Sequence, residues 1–484
     1  MLKTTINISD IINDSNVVAN PDNSISLVLE QNLDMKLADS AVTMGDTISA
    51  EAFSVPLILT IKPGQKVIKK YSETQLKFGE MQLTKTKASR AKIKFEVRSG
   101  VKQPLLISYK LFSATKDGAV YETMQEVPGA TEDEFAKLTT SIEFDDYILD
   151  LTGANHDTYN TIYALTTVWI HPDADTVVVF PEDSISIVST FDEFIPEYVS
   201  GYLGQIEVLT EETSALNSFS SIKSGTMNLK EANAKIDIYN YVGADVSLVV
   251  NEISSVKNQP YEKVILNHSI VGSSINMRRA VESNNPSYPV YPKHQIFDIS
   301  GSNLDNMIEI LPDSFSFSIN ANLNPLGNIS SGNDFLYFDR TIEASLKLEI
   351  PLNLSAKDLV FEEYSDLKIP EGVKGGTLKV YLDNMFPFSF NTQLFLLDSK
   401  DNIIDSLIVG DNLITNGVPI SGIVQSPSSS ILNISLSDKI ISELLNNEKI
   451  LIRLKVNSAS NMMYKIYDHY CLKVQIVGDL EYEY

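Results

Sequence analysis

Apolar and polar side chains alternate along much of the chain. Ala91-Lys92-Ile93-Lys94-Phe95-Glu96-Val97 sets apolar against charged positions, and Ser314-Phe315-Ser316-Phe317-Ser318-Ile319 does the same with serine outward. Ala344 to Ile350 and Thr377 to Leu382 repeat the pattern. A period of two puts one face in a core and the other in water, as in antiparallel sheets packed face to face. Clusters of Gly, Asn, Asp, Ser and Pro between the runs supply turns. Helical periodicity is rare. Leu304, Met307, Ile308 and Leu311 fall at i, i+3, i+4 and i+7, with Asn303 as N-cap, Asp305 in the first turn and Pro312 as the stop. Ile440, Ile441, Leu444 and Leu445 form a second short stripe between Asp438 and Asn446.

The pattern also recurs at long period. Gly79-Glu80-Met81-Gln82-Leu83, Gly225-Thr226-Met227-Asn228-Leu229 and Gly376-Thr377-Leu378-Lys379-Val380 each open a strand, a short link, a second strand and a polar turn. Downstream, Asp150-Leu151-Thr152-Gly153-Ala154-Asn155 matches Asp298-Ile299-Ser300-Gly301-Ser302-Asn303, and Asn433 to Asp438 matches both more weakly. Two more strands close each copy near Phe191, Leu348 and Tyr482. The third copy is shorter, opposite the stretch Tyr261 to Pro292 of the second. The predicted fold is mainly β: three consecutive, related antiparallel β domains, sandwich-like, each with one short helix. The boundaries are 1–200, with an extended lead-in before a repeat unit starting near 79, then 201–374 and 375–484. The lead-in holds alternation at Ile25, Leu27 and Leu29 and a second run from Phe53 to Leu59, where Pro56 favours an edge. It is expected to add edge strands to the first domain or to run as an extended segment.

Composition narrows the function. At 484 residues with 43% hydrophobic content, the chain can build several cores. Its 38 Lys and Arg against 63 Asp and Glu give a formal charge of −25, which repels phosphate backbones and anionic lipid. No nucleic-acid partner is expected. No apolar run is long enough to span a membrane as a helix, and Met1 to Ile8 hold no apolar h-region of a signal peptide. One cysteine rules out an internal disulfide and cysteine-rich zinc modules.

No motif for catalysis, metal or cofactor emerges. Phosphate-binding glycine loops and the nucleophile elbow are absent. His156, His171, His268, His294 and His469 are scattered, as surface or packing histidines are. Asp145-Asp146, Glu211-Glu212, Glu362-Glu363 and Glu132-Asp133-Glu134 read as solvated turns rather than the facing carboxylates of a glycosidase. Gly332-Asn333-Asp334 and Gly410-Asp411-Asn412 are too thin for a calcium loop. Cys471, in the alternating Tyr470 to Val474, reads as a small buried hydrophobe, without a designed dyad to His469. Trp169, between Val168 and Ile170, is expected in the core, and Arg278-Arg279 on a solvated loop.

Several phrases resemble a group of exported cell-envelope proteins of Bacteroidetes, chiefly flavobacteria. They are Asn16 to Asp22, Pro196-Glu197-Tyr198-Val199-Ser200-Gly201-Tyr202-Leu203-Gly204, Asn324 to Asn328 with Asn333-Asp334-Phe335, and Leu382 to Pro387. The resemblance implies a periplasmic or outer-membrane-associated location, often with a lipid anchor on a cysteine that this chain lacks, and no catalytic residues to carry over. One role it implies is a periplasmic plug or accessory subunit of a type nine secretion translocon. The leading reading is a non-enzymatic, cofactor-free envelope protein that binds an outer-membrane or periplasmic protein partner. The alternative is a carrier of lipid or another hydrophobic ligand, and the third is a hydrolase of extracellular polymer.

Overall fold

The computed structural model describes residues 2–8, 12, 16–35, 44–45, 47–285, 287–408, 413–420, 422–447, 449–459 and 462–482. Its strands form antiparallel ladders, and alternation decides what each one buries. In Ser314–Leu323, Phe315, Phe317, Ile319, Ala321 and Leu323 point into the core while the serines and asparagines between them stay half-exposed. Burying each large side chain contributes about 1.5–3 kcal/mol, which fixes the register face by face.

One strand order recurs three times. Leu2–Asn7, Cys471–Tyr482, Val373–Asn384 and Ser428–Ser435 lie side by side in one sheet. Ile25–Met35, Ile342–Pro351, Asn233–Asn240 and Lys293–Asp298 take the same places in a second. Thr47–Phe53, Ile185–Tyr202, Gln82–Ser99 and Ala136–Glu143 take them in a third. The strands that face each of these sheets also share an order. In the first unit they are Lys66–Gln75, Thr161–Ile170, Leu105–Lys116 and Ala119–Val127. In the second they are Ile206–Ala215, Ser314–Leu323, Val246–Asn258 and Tyr261–Ile265, and in the third Asn353–Asp366, Lys449–Asn457, Ser389–Leu397 and Ile403–Ile408. The buried residues of all three units join one core cluster.

The lead-in departs from expectation. Only Thr47–Phe53, Leu59–Ile61 and Lys66–Gln75 enter the first unit; Ile25–Met35 completes the second and Leu2–Asn7 the third. Thr47–Phe53, Ile25–Met35 and Leu2–Asn7 each pair with their unit's last strand, so the segment visits the units in reverse order before the chain builds them forward. Pairing also crosses the boundary near residue 374, because Ile222–Leu229 and Asn353–Asp366 belong to the third unit's sheet. The expected Phe53 to Leu59 strand is interrupted: the ladder ends at Phe53 and resumes at Leu59, with Pro56, which lacks the N–H a ladder needs, between them.

Two helices occur among the described residues, α1 (Leu304–Glu309) and α2 (Asp438–Asn447). The first unit has a turn where a helix was expected. Asp150 Oδ1 accepts from Thr152 N as Asp298 Oδ1 accepts from Ser300 N, but the following Gly153 to Asp157 offers no apolar stripe to bury, and His156 adopts a positive φ of 57°. Asn303 does not cap α1 with its side chain. Its Oδ1 instead accepts from Asn267 N at 2.7 Å and its Nδ2 donates to Ile265 O at 2.9 Å, tying the neighbouring loop to the helix start. The glycines that open the copies also divide. Gly225 sits at a bulge and Gly376 just past one, with φ of 101° and 131°, where a Cβ would come 2.2 Å from a carbonyl oxygen of the paired strand; Gly79 lies in an open turn.

Candidate interaction surface

Among the described residues, the first unit is joined to the second at one end and free at the other. At the joined end, Asp334–Tyr337 from the second unit pairs with Tyr198 to Gly201. Asp334 is fully buried there. Its Oδ1 accepts from Arg279 Nη2 at 2.9 Å, and its Oδ2 accepts from Asn324 Nδ2 at 2.7 Å and Leu203 N at 3.2 Å. Arg279 also donates to Asn333 O at 2.6 Å and to Gly243 O. Tyr198 and Tyr337 rings meet at 4.7 Å, and both hydroxyls donate to Glu282 Oε1. Burial raises both phenols' pKa above the ordinary range. The arrangement is a structural clamp with every group partnered. It corrects one expectation: Arg279 is half-buried in an ion pair with Asp334 while Arg278 stays exposed. Two of the phrases behind the envelope resemblance, Pro196 to Gly204 and Asn324 with Asn333 to Phe335, meet at this clamp.

At the free end, Phe53, Ser99, Leu105, Val127, Ala136, Ile170 and Ile185 terminate their strands together. Above them stands a two-stranded ribbon of Leu59–Ile61 and Val177–Val179. Ile61, Val177 and Val179 turn inward and are buried, whereas Leu57 and Ile58 are each 59% exposed, Val178 43% and Phe180 37%. Exposed apolar side chains gathered on and beside one ribbon are the material of a contact site. The surrounding loops are acidic: Glu132, Asp133, Glu134, Asp173, Asp175 and Glu182 are all exposed. Lys102 Nζ lies 2.7 Å from Glu132, and this hydrogen bond raises the lysine's pKa and lowers the carboxyl's. Asp183 is spent locally, its Oδ2 accepting from Phe180 N at 2.9 Å and holding the ribbon's end in place. The tip therefore offers an apolar ridge in an acidic rim, chemistry suited to contact. The sequence signal for it was the apolar run Phe53 to Leu59, read there only as a strand, together with the run Val177 to Phe180.

The other candidate side chains stay apart. His294 Nε2 is 2.6 Å from Asp237 Oδ1 and its ring stacks on Tyr239; His156 lies 3.2 Å from Asp150; His171 is 3.7 Å from Glu126; His469 packs edge-on to Tyr470; His268 Nδ1 accepts from Ile270 N. No group of three or more His, Cys, Asp or Glu among the described residues could share an ion. Asp145 accepts from Ala91 N, Asp146 pairs with Lys116 and Glu362 with Arg453, while Glu211 accepts from Ser318. Gly410-Asp411-Asn412 lies outside the described residues. Cys471 is half-buried in its strand. Trp169 is not a core residue: Val168 and Ile170 take the inward positions, so alternation turns the indole outward, where Lys66 Nζ approaches its ring at 5.8 Å. Between the second and third units, an apolar void lined by Ile8, Phe219, Ile308, Leu352, Phe361 and Phe388 leaves about 40 Å³ of free space.

No protein-family model and no curated protein matches the sequence. Among solved structures, a candidate secreted protein of Parabacteroides distasonis is 11% identical, over 56% of this chain and 82% of that chain, with a TM-score of 0.27. A structure of the Gx strain of infectious bursal disease virus is 9% identical over 92% and 85%, at 0.13. A VP2 subviral particle of that virus is 8% identical over 98% and 86%, at 0.11. At such scores none of these likenesses bears on fold or function.

Proposed function

We propose that this protein is a non-enzymatic binding component of the bacterial cell envelope, which docks on another protein through the free tip of its first unit. The carrying observation is the exposed ridge of Leu57, Ile58, Val178 and Phe180 within an acidic rim. An apolar centre with a charged rim is how protein interfaces are built, and the rim's sign favours a partner presenting lysine and arginine around an apolar recess. The envelope location rests on the sequence phrases alone. So does the finer reading, a periplasmic plug or accessory subunit of a type nine secretion translocon. Lipid carriage is the poorer reading, because a void of about 40 Å³ is well below the about 150 Å³ that holds a single benzene. The test is gentle co-purification from native envelope. A stoichiometric outer-membrane or periplasmic protein is expected with the native chain and lost with Ile58→Asp plus Phe180→Asp. Retention of the same partner by a correctly folded double variant overturns the reading.

A further inference from the structure

A second surface of the first unit carries large apolar side chains on the outer face of a sheet. Strands Lys66–Gln75, Thr161–Ile170, Leu105–Lys116 and Ala119–Val127 lie side by side, with Ile107, Ile162, Ala164 and Val168 buried on the inner face. On the outer face, cross-strand pairing lines up Lys66, Trp169, Leu106 and Glu126 in one row and Tyr71, Leu165, Lys110 and Glu122 in another. Met124, 55% exposed, sits between the two glutamates, and Lys69 between the other two edge residues. At the row's end, the rings of Tyr71, Tyr163 and Phe112 stand within 5.1–6.4 Å of one another, their planes within 15–21°. The corresponding strand of the second unit carries Ser316, Ser318, Asn320 and Asn322 at its outward positions. Tryptophan, tyrosine, leucine and methionine replacing serine and asparagine on a wet sheet face are the composition of an interface centre.

The charges say what covers it. One edge strand presents Lys66 and Lys69, and the opposite edge presents Glu122 and Glu126. Two copies stacked face to face about a two-fold axis parallel to the strands place the lysine edge of each over the glutamate edge of the other. The same operation sets Trp169 over Leu106, twice. A two-fold axis across the strands would set lysine over lysine. Only the first arrangement is self-complementary, and isologous contacts of this kind close as dimers. Glu122 already holds Lys110 at 3.2 Å within its own chain, which leaves Glu126, 75% exposed, as the main acceptor. We infer that a second copy of this chain occupies the face, forming a two-fold dimer with aligned sheets.

The size of the face sets the strength. Four strands about 4.8 Å apart and rows spanning about 20 Å give a footprint of about 400 Å² per copy. That is about half the about 800 Å² per partner of a standard interface, so association in the micromolar range is expected. The −25 charge on each copy works against it, though the first unit's lysine edge locally offsets this.

Sedimentation equilibrium on the full chain from about 1 to about 300 µM covers the range that such a footprint implies. A monomer–dimer equilibrium is expected. Trp169→Ser, and separately Lys66→Glu with Lys69→Glu, should each weaken it at least tenfold with an unchanged thermal melt. Adding Glu126→Lys to the lysine reversal should recover a large part of the loss, which mere destabilisation would not. The tip variant Ile58→Asp should dimerise like the native chain, separating this proposal from the docking function above. A monomer throughout the range, a dimer indifferent to these changes, or a monomer that binds a glycan or an unrelated protein on this face would overturn the inference.

Discussion

Replacing Asp334 by alanine tests whether the clamp between the first two units is essential. The carboxylate is fully buried and accepts from Arg279, Asn324 and Leu203, so its removal strands a guanidinium that is 30% exposed, a side-chain amide and a backbone N–H. Removing one partner of a buried ion pair costs about 3–5 kcal/mol. An unsatisfied buried donor costs about 1–3 kcal/mol, and these contributions overlap rather than add. Arg279 keeps the carbonyls of Asn333 and Gly243 and some water, so the lower end, about 3 kcal/mol, is expected. For 484 residues melting together, an unfolding entropy of about 1 kcal/mol/K makes that a loss of about 3 °C in Tm. Asp334→Asn should cost less, since one oxygen still faces Arg279. Calorimetry and urea titration give both numbers, and a cycle with Arg279→Met should return a coupling of at least about 1 kcal/mol. An Asp334→Ala protein that melts within about 1 °C of the native one, against the about 3 °C expected, refutes the clamp.

Gly376→Ala forces a Cβ to 2.2 Å from Asp479 O at a φ of 131°, and should cost about 1–3 kcal/mol in urea titration. Asn384 is fully buried, accepting from Phe386 N and donating to Phe388 O and Thr415 O; Asn384→Ala should lower stability by about 2 kcal/mol or more, read in the same titration. The hydrogen bond from Lys263, 2.7 Å away, holds Glu252 below its ordinary carboxyl range. A lowered folded pKa gives stabilisation that is complete above the unfolded value near about 4.3 and fades as pH falls through the folded one, so Glu252→Gln should remove part of the acid-limb slope; an NMR titration showing an unshifted Glu252 would refute it. Ile6→Asp should strip hydrogen-exchange protection from Cys471–Tyr482, its ladder partner, while leaving Gln82–Ser99 protected.

What alternation governs was legible in the sequence. Phe315, Phe317 and Ile319 face inward because their spacing leaves no other choice, and the stripe Leu304, Met307 and Ile308 buries as a helix should. What depends on partners far away was not. Nothing near Ile6 or Leu27 says that they pair with Leu472 and Ile350. Arg279 next to Arg278 looks like a solvated pair until Asp334 arrives from a strand many residues on. Trp169 shows the limit of reading apolar runs: with both neighbours apolar the phase is ambiguous, and the ladder with Leu106 and Lys66 settles that the indole points out. The tip was missed for a related reason, since Val178 is an ordinary strand residue, and Ile58 the neighbour of a strand, until the ribbon of Leu59–Ile61 and Val177–Val179 is seen to have no third layer.

The lead-in changes what the three units are to one another. Thr47–Phe53, Ile25–Met35 and Leu2–Asn7 each pair with the last strand of a unit, so the second and third units are each finished by a strand lying outside their own stretch of chain. Leu2 pairs with Ile476, and Ile342 with Met35, which brings the start of the sequence to the end of the fold. A unit built only from its contiguous residues would leave the edge of Ile342–Pro351 or of Cys471–Tyr482 open, and an open apolar edge invites wrong pairing. The same continuous segment covers all three edges, so the units cannot be dissected into independent modules without uncovering one. Closing such distant pairs costs loop entropy that grows only slowly with length, so the penalty falls on folding speed more than on stability. A chain threaded this way ties its units to one strap, so the tip and the aromatic face of the first unit are carried on the same continuous fold as the other two.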